Sequence, residues 1–258
     1  MLRFASLGSG SRGNATLVQS DNTLLLIDCG FAARELERRS AELGIDLTRL
    51  DAILVTHEHG DHQRGVGPVA RRYQTPVWMS AGTAQTDFGQ LPDCHLINPH
   101  LPAFNIGDIT VTPVIVPHDA RETVQFIFTC ADKRLGLLTD LGHITPHIKA
   151  QYTRLDALLL EANHDPQKLA NGPYPPKLQA RVGGDYGHLN NQQAAELLSI
   201  LDTSQLQYLV IAHLSEKNND PALAYDAFQI ANPDTQTKLS LLQQDTPSAW
   251  YTLGIAHN

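Results

Sequence analysis

The chain has 258 residues, 42% of them hydrophobic, and a formal net charge of −8. That length suits one large α/β domain or two small ones. No apolar run approaches the roughly 18–20 residues of a membrane helix, and the acidic balance excludes a global electrostatic pull on nucleic acid. The three cysteines, Cys29, Cys94 and Cys130, form no CxxC pair, so a reduced, cytoplasmic setting without a disulfide framework is expected.

Residues 1–7 hold too short an apolar stretch for a signal peptide and read as a first strand. The glycine-rich run SLGSGSRGNATLV (6–18) follows as a hairpin turn. Ser9, Ser11 and Asn14 in it, with their backbone N–H groups, also suit a small phosphate nest, to which Arg12 adds charge. Further strand runs are expected at 24–27, 52–55, 110–116, 134–138, 157–160 and 207–211. They end, in turn, at Asp28, a histidine cluster, His118, Asp140, Glu161 and His213. Helices are expected at 34–43 with Gly44 as C-cap, at 191–201 with Asn190 or Asn191 as N-cap, and at 221–230. One strand after another ending in a candidate ligand is the pattern of a site on one edge of a sheet. The interspersed helices suggest two packed sheets with helices outside, in one continuous domain over 1–258.

The run THEHGDH (56–62) is the most informative segment. It concentrates three imidazoles and a carboxylate at a strand end, where a rigid sheet can hold a metal open to substrate. In extended backbone His57 and His59 face the same side, and Gly60 lets the chain turn to present Asp61 and His62 as a second pair. Two metals about 3.5–4 Å apart can share one water, lower its pKa and clamp the developing charge, so the bridging hydroxide is the expected nucleophile.

With VPHDA (116–120), LLTDLG (137–142) and IAHLS (211–215), this run resembles the metallo-β-lactamase superfamily over nearly the whole chain. The resemblance implies a four-layer αββα sandwich of mixed α/β class. It also implies His57, His59 and His118 on one metal, Asp61, His62 and His213 on the other, and Asp140 bridging both. Asp28 is either a turn residue or, as the resemblance implies, a partner that fixes a ligand histidine's tautomer. The donors suit Zn²⁺ by default, with Mn²⁺ or Fe also accommodated.

Three features point within the superfamily. LLLEANHD with YGHLNNQQAAELL resembles paired segments of the tRNase Z type, implying that Glu161 orients His188 and His188 protonates the leaving alkoxide. The plainer alternative is a surface Glu161 and a helix-capping His188. The SGSRGN opening, GPYPPKLQARVGGDYGHLNN (172–191) and HLSEKNNDP (213–221) resemble the YycJ/WalJ group, regarded as phosphodiesterases or DNA exonucleases with suggested links to DNA repair. Lys177 and Arg181, and Ser215 and Asn218 beyond the last ligand motif, are candidate phosphate or substrate contacts. The stretch from Asp140 to His213 is too short for the inserted domain of RNase J enzymes. The expected partner is therefore a nucleic-acid single strand or duplex end, or a small phosphodiester, and not a membrane. The alternatives are a thioester or lactam hydrolase, disfavoured by Glu161 and His188, and a non-catalytic metal-binding regulatory domain. Cys29 and Cys130 are expected in the core, His164 lies near the site, and His95, His100 and His257 carry no signal.

Overall fold

The computed structural model describes residues 1–232 and 236–254, so His257 lies outside the described residues. They divide into two compact units. The first takes residues 1–115, 120–133 and 243–254, the second residues 116–119 and 134–242.

The first unit opens with β1 (Leu2–Gly8), β2 (Ala15–Gln19) and β3 (Leu24–Ile27), an antiparallel meander. After α1 (Ala33–Glu42), the strand β4 (Ala52–Leu54) pairs parallel to β3, which places Asp28 beside the THEHGDH run. A single helical turn, α2 (Gly60–Gln63), leads into α3 (Val66–Tyr73). The strands β5 (Val77–Ser80) and β6 (Cys94–Ile97) continue the parallel half. A second meander follows, of β7 (Phe104–Ile106), β8 (Ile109–Ile115) and β9 (Val124–Cys130). The first three strands and β4 are buried almost throughout, as strands covered on both faces must be. Leu36 of α1 and Val66, Val69 and Ala70 of α3 join Leu26, Ile53, Val55 and Met79 in one core.

The second unit is built on β10 (Lys133–Leu138), which enters it at Arg134, followed by α4 (Pro146–Gln151) and β11 (Ala157–Glu161). Then come α5 (Pro166–Asn171), α6 (Pro176–Val182), α7 (Asn191–Ile200), β12 (Tyr208–Ala212), α8 (Pro221–Ala231) and β13 (Lys238–Leu241). Its strands run parallel in the order β10-β11-β12-β13. Parallel order brings the carboxyl ends of β10, β11 and β12 to one edge, and with them Asp140, Glu161 and His213. Helix starts are set by chemistry. Proline stands in the first turn of α4, α5, α6 and α8, where its missing N–H costs nothing. Asn190 and Gln193 close a reciprocal capping box on α7. The last strand, β14 (Tyr251–Leu253), returns to the first unit and completes its seven-stranded sheet, β14-β1-β2-β3-β4-β5-β6.

The strand runs fall within a residue or two of their expected places, and the helices at 34–43, 191–201 and 221–230 are α1, α7 and α8. The helices α2 to α6 were not read from the sequence. They are short, and the apolar periodicity that marks a helix needs more turns than most of them have.

Candidate metal centre

In the first unit His57, His59, Asp61 and His62 follow β4. The His57 and His59 rings lie 4.6 Å apart, and His57 and His62 4.2 Å apart. The two pairs expected of this run therefore converge, with Asp61 and His62 on the single turn α2 rather than on a loop. The Asp28 carboxylate fixes the segment. One oxygen accepts the Thr56 N–H at 2.8 Å. The other accepts the Thr56 hydroxyl at 2.9 Å and faces His62 Nδ1 at 2.8 Å. Asp28 is 3% exposed. With Nδ1 held by a carboxylate, Nε2 is the nitrogen that His62 presents. Two close approaches seat the turn: Asn14 N–H donates to Asp61 O at 2.8 Å and Cys29 N–H to His62 O at 2.7 Å. A Cβ on Gly30 would lie 1.8 Å from Asp61 O, so only glycine lets these chains meet.

The glycine-rich loop turns on Asn14. Its Oδ1 accepts the Gly10 N–H at 2.9 Å, and its Nδ2 lies 3.4 Å from Asp61 Oδ2 and 3.2 Å from His62 Nε2. Ser9 Oγ donates to Asn14 Oδ1 at 3.3 Å. Asn14 thus braces the turn that carries Asp61 and His62. Arg12 makes a bidentate pair with Asp245, and Ser11 is exposed.

In the second unit Asp140, Glu161, His188 and His213 bring ligand atoms within 4.8 Å of one another, a group able to hold a metal ion. Glu161, at the end of β11, is wholly buried. Its Oε1 lies 2.7 Å from His188 Nδ1 and 3.1 Å from His213 Nδ1, and its Oε2 accepts the N–H groups of Leu141 at 3.3 Å and Leu189 at 3.1 Å. Burial raises its pKa, but the charge and hydrogen bond of His188 and the bond from His213 outweigh that and hold it at about 2. A surface Glu161 is excluded. The bond to His213 was not read from the sequence, because nothing in chain spacing says which of two histidines a carboxylate meets. His188 is 20% exposed at its side chain and lies 3.8 Å from Asp140 Oδ1. His118 Nδ1 donates to Gly187 O at 3.0 Å, presenting Nε2.

Backbone strain marks the same positions. Asp28, Asp140 and His213 all take left-handed conformations, with φ of 59°, 54° and 54°. Non-glycine residues reach that region at a cost of about 1 kcal/mol or more, and such strain clusters at functional sites. Each stands one or two residues past the end of its strand and turns its side chain out of the strand's alternation.

The remaining candidates separate. Arg181 pairs with Asp119, whose Oδ1 is 3.6 Å from His118 Nε2, while Lys177 is exposed on α6. Ser215 and Asn218, expected as substrate contacts, are buried, and Ser215 Oγ accepts both the backbone N–H and the Nδ2 of Asn218. The pair ties the turn after His213. His164 is buried, and burial lowers its pKa to about 4. Cys29 lies in the core, where burial pushes the thiol up to about 12, so it supplies no thiolate. The donors available are imidazole and carboxylate with their orienting partners in place, and they fit divalent metals.

Residues 23–213 match the family model described as the β-lactamase superfamily domain, and the chain belongs to that superfamily. It is a metallo-β-lactamase-fold hydrolase. It is 34% identical over 227 residues to the exodeoxyribonuclease YycJ of Bacillus anthracis, covering 86% of each chain. It is 31% identical over 252 residues to the exodeoxyribonuclease WalJ of Streptococcus pneumoniae, covering 95% of this chain and 94% of that one. Among solved structures it resembles the metallo-β-lactamase fold protein YhfI of Bacillus subtilis, with a TM-score of 0.73 at 15% identity over 96% of this chain and 99% of the other. The sandwich fold and the YycJ/WalJ likeness agree with the sequence reading. No described helix is long and apolar enough to cross a membrane.

Proposed function

We propose that the chain is a dinuclear metal-dependent phosphodiesterase that acts on DNA as an exonuclease, as its YycJ and WalJ relatives are named. His57, His59 and His118 would hold one metal, Asp61, His62 and His213 the other, and Asp140 both. Zn²⁺ is the default, with Mn²⁺ or Fe compatible with the same donors. When bound, two such ions supply an activated water and stabilise charge on the phosphate.

The chain's own residues do the rest. His188 donates a proton from Nε2 to the leaving alkoxide. Glu161, bonded to Nδ1, holds the ring in orientation for the transfer. Asp61 helps to orient the attacking water, and Asp28 keeps His62 in the tautomer that presents Nε2. The observation that supports this reading most is the 2.7 Å contact between buried Glu161 and partly exposed His188. A thioester hydrolase gains little from such a donor, because a thiolate departs without a proton.

Hydrolysis of bis-p-nitrophenyl phosphate is the test, run beside nitrocefin and S-lactoylglutathione. Turnover of the diester supports the proposal. Turnover of only the other two contradicts it.

A further inference from the structure

Tyr186 is 62% exposed, and it sits two residues before His188. A single exposed aromatic needs no functional explanation by itself. What sets this one apart is how firmly its backbone is held. The Asp119 N–H donates to Tyr186 O at 2.9 Å, and His118 Nδ1 donates to the next carbonyl, Gly187 O, at 3.0 Å. A Cβ on Gly142 would lie 2.2 Å from Asp185 C and 2.5 Å from Tyr186 N, so this peptide lies flat against the loop that carries Asp140. A Cβ on Gly187 would lie 2.1 Å from Val182 O, which closes the other side. The Tyr186 ring meets His143 edge-on at 6.3 Å and 89°, an arrangement that covers at most one of its two faces. His143 Nδ1 is in turn held by Asp185 O at 2.8 Å. Arg181 lies on Asp119, the residue whose amide holds Tyr186. An exposed ion pair of this kind is worth about 0.2–1 kcal/mol, so its guanidinium is readily given up to a phosphate.

We propose that Tyr186 is the stacking platform for the nucleobase next to the scissile phosphate, and that the preferred substrate is therefore an unpaired end. The inference rests on the nuclease reading above and deepens it. An aromatic side chain has few rotatable bonds, and one carried on a backbone fixed before binding loses less freedom when a base stacks on it. A base in a duplex is stacked on its neighbours, so the platform selects single strands and frayed ends. Base–aromatic stacking tolerates any sequence, as an exonuclease requires.

The test compares kcat/KM on a single-stranded oligodeoxynucleotide with that on matched oligonucleotides bearing one abasic residue at the 5′ or the 3′ terminus. Wild type should prefer the base-bearing strand to one of the abasic strands by about ten-fold, mainly through KM. Y186A should erase that preference while leaving the rate on the abasic strand unchanged, and Y186W should restore it. If Y186A keeps the preference, or slows all the substrates by one factor, the platform is wrong and the nuclease reading stands. If wild type cleaves no oligonucleotide, the nuclease reading fails and the platform with it.

Discussion

Glu161 is a carboxylate with no exposed surface, and such a charge is tolerated only with strong partners. It has contacts to two imidazoles and two backbone N–H groups. E161Q keeps the shape and removes the charge. On DNA it should cut turnover by 10²-fold or more, because His188 loses the carboxylate that orients its ring. Steady-state kinetics with metal content measured in parallel checks this. D28N should leave the fold intact and weaken metal binding by roughly 10–100-fold, measured by competition with a chelator, because His62 loses its orienting carboxylate. His164 gives a pH signature. Burial lowers its pKa in the folded protein from 6.5 to about 4, so between those values the unfolded chain takes up a proton that the native one refuses. Stability from this residue is present above pH 6.5 and is lost as pH falls toward 4, by at most about 1.4 kcal/mol per unit. Urea titrations across that window should show H164Q with a shallower slope than wild type.

At the scale of elements, the site depends on strand ends that turn sharply and on chains that pass very close. Gly30 is the clearest case: G30A would press a methyl onto Asp61 O and should destabilise the protein by about 1–3 kcal/mol while lowering metal affinity. Chemical denaturation and metal analysis of the variant would show both. Much of this layer was legible. Apolar strand runs are easily seen, and each polar residue closing such a run is conspicuous, which is how Asp28, His118, Asp140, Glu161 and His213 stood out. The ends of the other elements were less so. Thr145-Pro146, Asp165-Pro166 and Asp220-Pro221 are cap-and-proline starts, yet only the helix at Asp220 carried enough turns for its pattern to be read. The role of Asn14 was hidden for another reason. Its partners Asp61 and His62 are 47 and 48 residues away, and a glycine-rich turn carries the same residues whether it binds phosphate or braces a neighbour.

At the scale of the whole molecule, metal binds the folded chain and not the unfolded one, so it adds to stability by mass action. We expect loss of metal to lower the thermal midpoint by roughly 10 °C if metal is bound a thousand-fold above its dissociation constant. Calorimetry with and without a chelator checks this, and an unchanged midpoint would contradict it. The central claim is that His188 protonates a leaving alkoxide, and leaving-group dependence tests it most directly. A p-nitrophenolate departs without a proton, whereas the alkoxide released from DNA needs one. The measurement is the ratio of wild-type to H188A turnover on bis-p-nitrophenyl phosphate and on a single-stranded oligodeoxynucleotide, at equal metal content. The account predicts a ratio near one for the nitrophenyl ester and roughly 10²-fold or more for DNA. Equal ratios on the two substrates would contradict it.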